Sequence, residues 1–173
     1  MTVIRPARPG DCDPVRRFLD GLSPTSRHQR FFSELPKVTD ALIQILVGDN
    51  ALLAWDGDVV IGHGMAAPVT QDGDGGMAAS VDNAVDVGVV VAEAYRRQGV
   101  GGRLVRELTI DAKHIRCDVL CGNYFVLRWL RRLMPEMRVE RAGDTITVHG
   151  SRPRPLTYKD YVITQWPAPV DRG

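Results

Sequence analysis

The chain has few of the features that mark secreted, membrane or metal-binding proteins. Its three cysteines, Cys12, Cys117 and Cys121, form no CxxC pair, and an odd, irregularly spaced set argues against a disulfide framework. No apolar run approaches the roughly 20 residues that cross a bilayer. The N-terminus carries charges and prolines where a signal peptide has an apolar segment. These absences predict a cytoplasmic protein.

Neither sign of charge is in excess. The formal net charge is +1, so neither nucleic acid nor an acidic membrane surface is an expected partner. Cys117 and Cys121 lie four residues apart in an apolar segment, where cysteines usually serve as small core residues. Their spacing does not match zinc-ligand patterns, and we expect no bound metal.

The size and composition predict one globular domain. A chain of 173 residues is long enough for one domain with a real core. Its 44% hydrophobic and 25% charged content is ordinary for such a domain. We expect the domain to cover residues 1–150 and a proline-rich tail, residues 151–173, to be extended or to pack on the domain.

Apolar spacing and turn signals predict an alternation of strands and helices. The order implies a mixed sheet of about seven strands with helices on both faces, in the α/β or α+β class. Strands are predicted at 2–5, 51–55, 59–69, 82–91, 117–121, 137–141 and 145–149. Helices are predicted after Asp11 or Asp13, from Ser23 to about Phe32, over 38–47 and 101–115, and after Asn123, with a mobile loop at 70–80.

A valine-rich strand followed by a glycine turn and a helix is the most informative segment. The run from Val85 to Val91 is followed by the turn Arg96–Gly102. Backbone N–H groups at such a helix start bind phosphate, and glycines let the backbone approach without a Cβ. Alternatively, the turn merely reverses the chain and its arginines are solvated. A Rossmann fold is disfavoured because the glycines do not spell GxGxxG.

Arg96, Gly99 and Gly101 resemble the R/QxxGxG/A signature of the GNAT acyltransferase superfamily. The Ile4–Ala7 start, the central hairpin and the Cys117–Cys121 strand before Asn123 agree with that family's order. The resemblance covers about Val3 to His149. It implies the GNAT acyl-CoA N-acyltransferase fold, acetyl-CoA as co-substrate, and direct transfer of the acetyl group to an amine.

A second resemblance concerns the segment from Leu22 to Phe32, which reads LSPTSRHQRFF. It is similar to the LSPxSxxxRFF element of the Pat-type bacterial protein-lysine acetyltransferase domains. This similarity makes a protein lysine a candidate acceptor. A small-molecule amine remains the alternative acceptor, and a non-catalytic acyl-CoA-binding module remains the alternative function. Exposed strand edges are compatible with a homodimer as well as a monomer.

The GNAT resemblance implies a specific set of cofactor contacts. The strand backbone at 89–91 would pair with the pantetheine arm, and the Val89 N–H would polarise the thioester carbonyl. The N–H groups at 98–103 would hold the pyrophosphate. The implied cofactor-binding residues are Val89, Val90, Val91, Arg96, Arg97, Gln98, Gly99, Val100, Gly101, Gly102, Arg103 and Asn123.

Asp86 is the candidate general base, since it occupies the position of the Pat-type glutamate. It would deprotonate the amine directly or through water; alternatively, it is a strand-edge carboxylate that hydrogen-bonds the backbone. Leu130 stands where many family members carry a leaving-group tyrosine, so the thiolate would leave unaided.

Four further side chains receive predictions. His63 fits a satisfied strand histidine better than an acceptor-site residue. Phe31 and Phe32 are expected in the core, and Arg30 is expected to form an internal ion pair.

Overall fold

The computed structural model describes residues 2–34, 37–71 and 79–152 of the chain. The strands are β1 (Thr2–Pro6), β2 (Ala51–Asp56), β3 (Val59–Gln71), β4 (Ala79–Val91), β5 (His114–Leu120), β6 (Arg138–Ala142) and β7 (Thr145–Ser151). The helices are α1 (Cys12–Asp20), α2 (Pro24–Phe31), α3 (Asp40–Leu46), α4 (Val100–Leu108) and α5 (Tyr124–Leu133). Short 3₁₀ turns lie at Pro9–Asp11 and Glu93–Tyr95.

The strands form one seven-stranded mixed sheet in the order β1-β2-β3-β4-β5-β7-β6. Neighbouring strands are antiparallel except β4 and β5, which are parallel. The helix α4 connects these two parallel strands. Because α4 and α5 each follow one of them, both helices begin at the same edge of the sheet. The mixed seven-stranded sheet predicted from the sequence is confirmed.

Helices cover both faces of the sheet. On one face, Val15 and Leu19 of α1 and Ile43 of α3 pack with Leu53 and Val90. The opposite face is covered by α4 and α5, where Val105 and Leu130 pack against Val87, Cys117 and Val148 of the strands. Alternating residues of β4 therefore face different helices, with Asp86, Gly88 and Val90 on the α1–α3 side.

Capping side chains set several helix starts at the predicted places. The Oγ of Ser23 accepts a hydrogen bond from the Ser26 N–H at 3.1 Å at the start of α2. The Oδ1 of Asn123 accepts one from the Val126 N–H at 3.3 Å at the start of α5. At α1 the Asp11 carboxylate instead accepts hydrogen bonds from Arg5 and the Arg8 N–H, each at 2.8 Å.

The prediction of a helix over 101–115 is wrong at its end. The helix α4 stops at Leu108, and residues from His114 onward form β5. The Oγ1 of Thr109 donates to the Val105 carbonyl at 2.7 Å where the helix ends. The Lys113 N–H donates to the Asn83 carbonyl at 3.0 Å, which starts the pairing of β5 with β4. Long-range strand pairing thus overrides helical spacing in this segment.

The predicted loop at 70–80 is narrower than expected. Thr70 pairs with Ser80 and Gln71 with Ala79, so both strands extend into it. Residues 72–78 lie outside the described residues, as does the predicted tail from residue 153 onward. In the described ranges no helix is long and apolar enough to cross a membrane.

Phe32 was expected in the core, but it is not buried there. It ends α2 in the left-handed conformation, with φ of 56°, and its side chain is 39% exposed. Phe31 does pack against the core beneath α1. His63 is fully buried, as expected of a satisfied strand histidine, and its Nε2 lies 2.9 Å from the Leu46 carbonyl oxygen. Burial lowers the pKa of His63 to about 4.

Candidate functional site

The strands β4 and β5 separate beside the valine run. They pair only at Ala84–His114, Val85–Ile115 and Asp86–Arg116. Beyond this point β5 continues its pairing with β7 but not with β4. The edge of β4 that follows Asp86 therefore faces a gap between two diverging parallel strands.

The backbone groups that face this gap follow from the hydrogen bonds to β3. The Ala92 N–H donates to the Ile61 carbonyl at 2.9 Å, and residues of an antiparallel strand alternate in the direction of their backbone groups. The N–H and C=O groups of Val87, Val89 and Val91 consequently point away from β3 and toward the gap. The Arg96 Nε donates a hydrogen bond to the Val91 carbonyl at 3.1 Å, so this acceptor is already used. Val89 thus presents both backbone groups at the gap.

The glycine turn lies directly beyond the valine run. Arg97 and Gly99 both adopt positive φ, of 63° and 82°. Gly99 is the N-cap of α4, and the Arg103 N–H donates to its carbonyl at 3.0 Å. The N–H groups of Val100, Gly101 and Gly102 precede this bond and are the donors that an α-helix leaves without an internal partner. Three amide donors and the positive end of the helix dipole meet here, an arrangement that suits an anion.

Two of the predicted arginines direct their guanidinium groups elsewhere. The Arg96 Nη2 donates to the Ser26 Oγ at 2.6 Å, and the Arg103 Nη1 donates to the Thr2 carbonyl at 3.2 Å. Arg97 is exposed in the turn itself. The backbone N–H groups of Arg96 and Arg103 are engaged as well, since they donate to the Glu93 carbonyl at 3.3 Å and to the Gly99 carbonyl at 3.0 Å.

A polar cluster fastens α2 to the segment that precedes the glycine turn. The carboxylate of Glu93 accepts hydrogen bonds from the Ser26 hydroxyl and from the Ser23 N–H, the latter at 3.2 Å. Glu93 also lies 3.5 Å from the Arg96 Nη2. Burial alone would raise the pKa of Glu93, but the hydrogen bonds from Ser26 and Ser23 lower it to about 2. The LSPTS part of the sequence thus holds the segment that precedes the turn.

Asp86 lies where the two strands diverge, on the face of the sheet turned toward α1–α3. Its carboxylate is 40% exposed and lies 3.8 Å from the Arg116 Nη1 on β5. Burial raises the pKa of Asp86 above its ordinary value, and Arg116 opposes that shift. The carboxyl group is therefore part-buried, accessible and more basic than an ordinary aspartate, which are the properties of a proton acceptor.

Three polar residues that were not predicted from the sequence form a chain of contacts that starts at Asp86. The Arg116 Nη2 lies 3.5 Å from the Asp118 carboxylate, whose other oxygen accepts from the Thr147 Oγ1 at 2.7 Å. Arg116 and Asp118 alternate with the buried Ile115, Cys117 and Val119 along β5. This alternation of polar and apolar residues is the sequence signal that places Arg116 and Asp118 on one face of β5.

The remaining predicted residues occupy supporting positions. Val90 is buried toward α1–α3, and the Val91 side chain lies on the α4 side, near Gly101. Asn123 follows β5, and its Oδ1 caps α5 by accepting a hydrogen bond from the Val126 N–H. Gln98 donates from Nε2 to the Ala94 carbonyl at 3.0 Å. Leu130, at the position of the family tyrosine, is buried in the core.

The chain belongs to the GNAT family. The model of the acetyltransferase (GNAT) family matches residues 19–132, which is more than half of the chain. This match covers the parallel strand pair, the glycine turn and the start of α5. A sequence comparison with curated proteins finds no match.

Solved structures with the same fold include several acetyltransferases. The GNAT domain of S. lividans PAT is similar, with a TM-score of 0.73 and 17% identity, over 86% of this chain and 89% of that one. Ribosomal-protein-alanine N-acetyltransferase from Brucella melitensis gives 0.64 and 15%, over 86% and 99%. The yncA protein of Salmonella typhimurium, solved with its cofactor acetyl-CoA, gives 0.61 and 16%, over 91% and 97%. At these identities the likenesses show the fold alone.

Proposed function

We propose that the protein is an acetyl-CoA-dependent N-acetyltransferase that transfers the acetyl group directly to an amine. The observation that carries this proposal is the gap between β4 and β5, which opens onto the glycine turn at the start of α4. The open edge of β4 offers backbone groups to an amide-rich arm, and the start of α4 offers N–H groups to a diphosphate. A single elongated ligand that carries both parts would therefore fit this arrangement. Coenzyme A has this chemistry, and a GNAT neighbour was solved with acetyl-CoA as its cofactor.

The cofactor would be held mainly by backbone groups. The N–H groups at Val100, Gly101 and Gly102, with the turn residues Arg97, Gln98 and Gly99, would bind the pyrophosphate. The edge of β4 at 89–91 would pair with the pantetheine amides. The Val89 N–H would then donate to the thioester oxygen as negative charge develops on it. Asn123, at the start of α5, would border the same gap.

The chemistry requires a neutral amine, and Asp86 would take its proton directly or through one water. The amine nitrogen forms a bond to the thioester carbon, the carbon–sulfur bond breaks, and the electron pair leaves on the coenzyme A sulfur. Leu130 occupies the tyrosine position, so the thiolate would gain its proton from solvent. None of the predicted site residues is a cysteine, which favours direct transfer over an acyl-enzyme intermediate.

Two classes of amine are candidates for the acceptor. Similarity to the GNAT domain of a PAT protein and the LSPTSRHQRFF segment favour a protein lysine, and a small-molecule amine is the second candidate. A non-catalytic acyl-CoA-binding module is favoured by one observation, the Arg116 side chain beside Asp86 at 3.8 Å, because ion pairing stabilises the carboxylate and weakens it as a base.

Two measurements separate these functions. Acetyl-CoA should raise the melting temperature, since a ligand that binds only the folded state stabilises it; the absence of any shift would contradict both the enzyme and the binding module. Release of free coenzyme A thiol in the presence of amine acceptors distinguishes the enzyme from the module. A stabilised protein that releases no thiol with lysine peptides or small amines would support the module.

A further inference from the structure

The Arg30 side chain is largely buried, and among the described residues no carboxylate forms an ion pair with it. Its Nε is buried without a hydrogen-bond acceptor. Its Cζ lies 5.3 Å from the centroid of the Phe31 ring. Burial lowers the pKa of Arg30, while Asp86 acts in the opposite direction. A cation removed from water in this way is costly unless an anion satisfies it.

Several other arginines have carboxylate partners, although Arg27 and Arg106, like Arg30, have a buried guanidinium nitrogen without an acceptor. Arg5 pairs with Asp11 and Arg16 with Asp40, and Arg116 has two aspartates. The internal ion pair that we expected of Arg30 is absent from the described residues. The Asp86 carboxylate, which interacts electrostatically with Arg30, lies 3.8 Å from the Arg116 Nη1. Arg30 is distinguished by its position against β4 at Gly88, on the same face of the strand as Asp86.

The position of the Arg30 guanidinium is set by the absence of a side chain at Gly88. A Cβ added at Gly88 would lie 2.5 Å from the Arg30 Nη1 and 2.6 Å from Cζ. The guanidinium thus rests directly on the backbone of β4. Gly88 and Asp86 are on the same face of the strand, about 7 Å apart along it. The Asp86 carboxylate and the Arg30 guanidinium therefore lie on the same face of β4, next to the open edge at Val89.

We propose that Arg30 is the anion-binding half of the acceptor site, and that the acceptor is an amino acid whose carboxylate lies next to the reacting amino group. This inference rests on the proposed function, in which the amine is deprotonated at Asp86, and it selects a small-molecule amine over a protein lysine as the acceptor. A carboxylate on the same molecule would then face Arg30. An α-amino acid carries both groups on one carbon. With hydrogen bonds of about 2.8 Å at each end, it can reach from Asp86 to Arg30.

The acetyl transfer itself is unchanged by this assignment. The amino nitrogen forms a bond to the thioester carbon, the proton passes to Asp86, and the coenzyme A thiolate leaves. Arg30 takes no part in bond making. It holds the carboxylate and so orients the amino group, which makes its contribution one of binding and specificity.

The test compares α-amino acids with their uncharged amides in a thiol-release assay with acetyl-CoA. The wild-type protein should show kcat/KM about 10- to 100-fold higher for the acid, because a charge-assisted hydrogen bond is lost in the amide. The amide has the less basic amino group and supplies more neutral nucleophile, so chemistry alone would favour it. Equal turnover of acid and amide, or turnover of lysine peptides only, would overturn the inference and leave the proposed function intact.

Three variants assign the preference to Arg30. Arg30→Met should abolish it, mainly through KM for the acid, and Arg30→Lys should restore part of it. Gly88→Ala should weaken it as well, because the new Cβ displaces the guanidinium while the charge remains. Arg17→Met, at an exposed position on α1, is the matched control and should keep the wild-type preference. An Arg30→Met protein with an intact preference would overturn the inference.

A binding measurement covers the case in which no acceptor is turned over. In the presence of coenzyme A, the amino acid should raise the melting temperature of the wild-type protein but not of the Arg30→Met protein. No shift, or the same shift in both, would overturn the inference. Loss of the shift by acetyl-CoA itself, in the absence of acceptor, would instead contradict the proposed function.

Discussion

At the scale of single residues, Asp86 is subject to two opposing influences. Partial burial raises its pKa, whereas Arg116 lowers it. The Arg116 Nη2 also lies 3.5 Å from the Asp118 carboxylate, so the guanidinium charge is shared between the two aspartates. A carboxylate in this position keeps access to solvent and to an incoming amine. These features favour Asp86 as the base over a purely structural carboxylate.

Asp86→Asn is expected to lower kcat/KM by about 100-fold or more, because the amide cannot accept the proton. In the wild-type protein the ionised base is active, so the rate should rise with pH through the pKa of Asp86. That limb should lie above the ordinary range of an aspartate and should disappear in the variant. Steady-state acetyl transfer measured against pH checks both points.

Asp86→Glu keeps a carboxylate and serves as the control. It should retain most of the activity together with the pH-dependent limb. An Asp86→Asn protein that is as active as the wild type near pH 8 would show that Asp86 is not the base. In either variant Arg116 retains Asp118 as a partner, so gross loss of folding is not expected.

At the scale of elements, the fastening of α2 to the segment before the glycine turn organises the site. The Glu93 carboxylate receives the Ser26 hydroxyl and the Ser23 N–H, and Arg96 reaches from the turn to Ser26. The hydrogen bonds lower the pKa of Glu93 from 4.5 to about 2. Ionised Glu93 therefore stabilises the fold above about pH 4.5, and this stabilisation is lost as the pH falls from there through 2.

Glu93→Gln should lower the free energy of unfolding at pH 7 by about 1–2 kcal/mol. This is less than the full linkage value because the Glu93 side chain is 40% exposed. The difference from the wild type should shrink as the pH falls below 4.5. Urea unfolding at several pH values measures it, with Glu107→Gln on the exposed side of α4 as the control. A constant difference across this range would contradict the assignment.

The two glycines of the turn differ in what they require. Gly99 has a φ of 82°, which a residue with a Cβ adopts only with strain. Gly101 is inside α4, and a Cβ there would lie 3.7 Å from the nearest side-chain atom, in ordinary contact with Val91. A positive φ is thus present at Gly99 and not at Gly101.

Gly99→Ala should destabilise the fold by about 1–2 kcal/mol, whereas Gly101→Ala should leave stability unchanged or raise it by up to about 1 kcal/mol, through better helix propensity. Thermal or urea unfolding of the pair compares them directly. Equal effects of the two substitutions would contradict the conformational difference between the two positions.

At the scale of the whole molecule, local patterns in the sequence predicted most elements of the fold, including those that frame the candidate site. The hairpin at Gly57, the cap at Asn123 and the strand–turn–helix around Gly99 are encoded by neighbouring residues, so periodicity and turn chemistry suffice for them. The GNAT family assignment, made first from Arg96, Gly99 and Gly101, is confirmed by the family match over residues 19–132.

Features that depend on distant residues were not predictable in this way. The predicted helix continued past Leu108 because the spacing of nearby residues does not indicate that the Lys113 N–H bonds to the Asn83 carbonyl. The Arg96 guanidinium reaches Ser26, 70 residues earlier in the chain, so the sequence alone does not show that this side chain turns away from the glycine turn. The position of Arg30 on Gly88 depends likewise on how α2 packs against β4.

Amide hydrogen exchange with and without acetyl-CoA tests the central claim, that the cofactor binds along the open edge of β4 and at the start of α4. We predict slower exchange in peptides covering 87–91 and 98–103 when acetyl-CoA is present. The amides of β1 (Thr2–Pro6), at the far edge of the sheet, should exchange at an unchanged rate. Binding without protection of either segment, or with protection confined to other parts of the chain, would contradict the account.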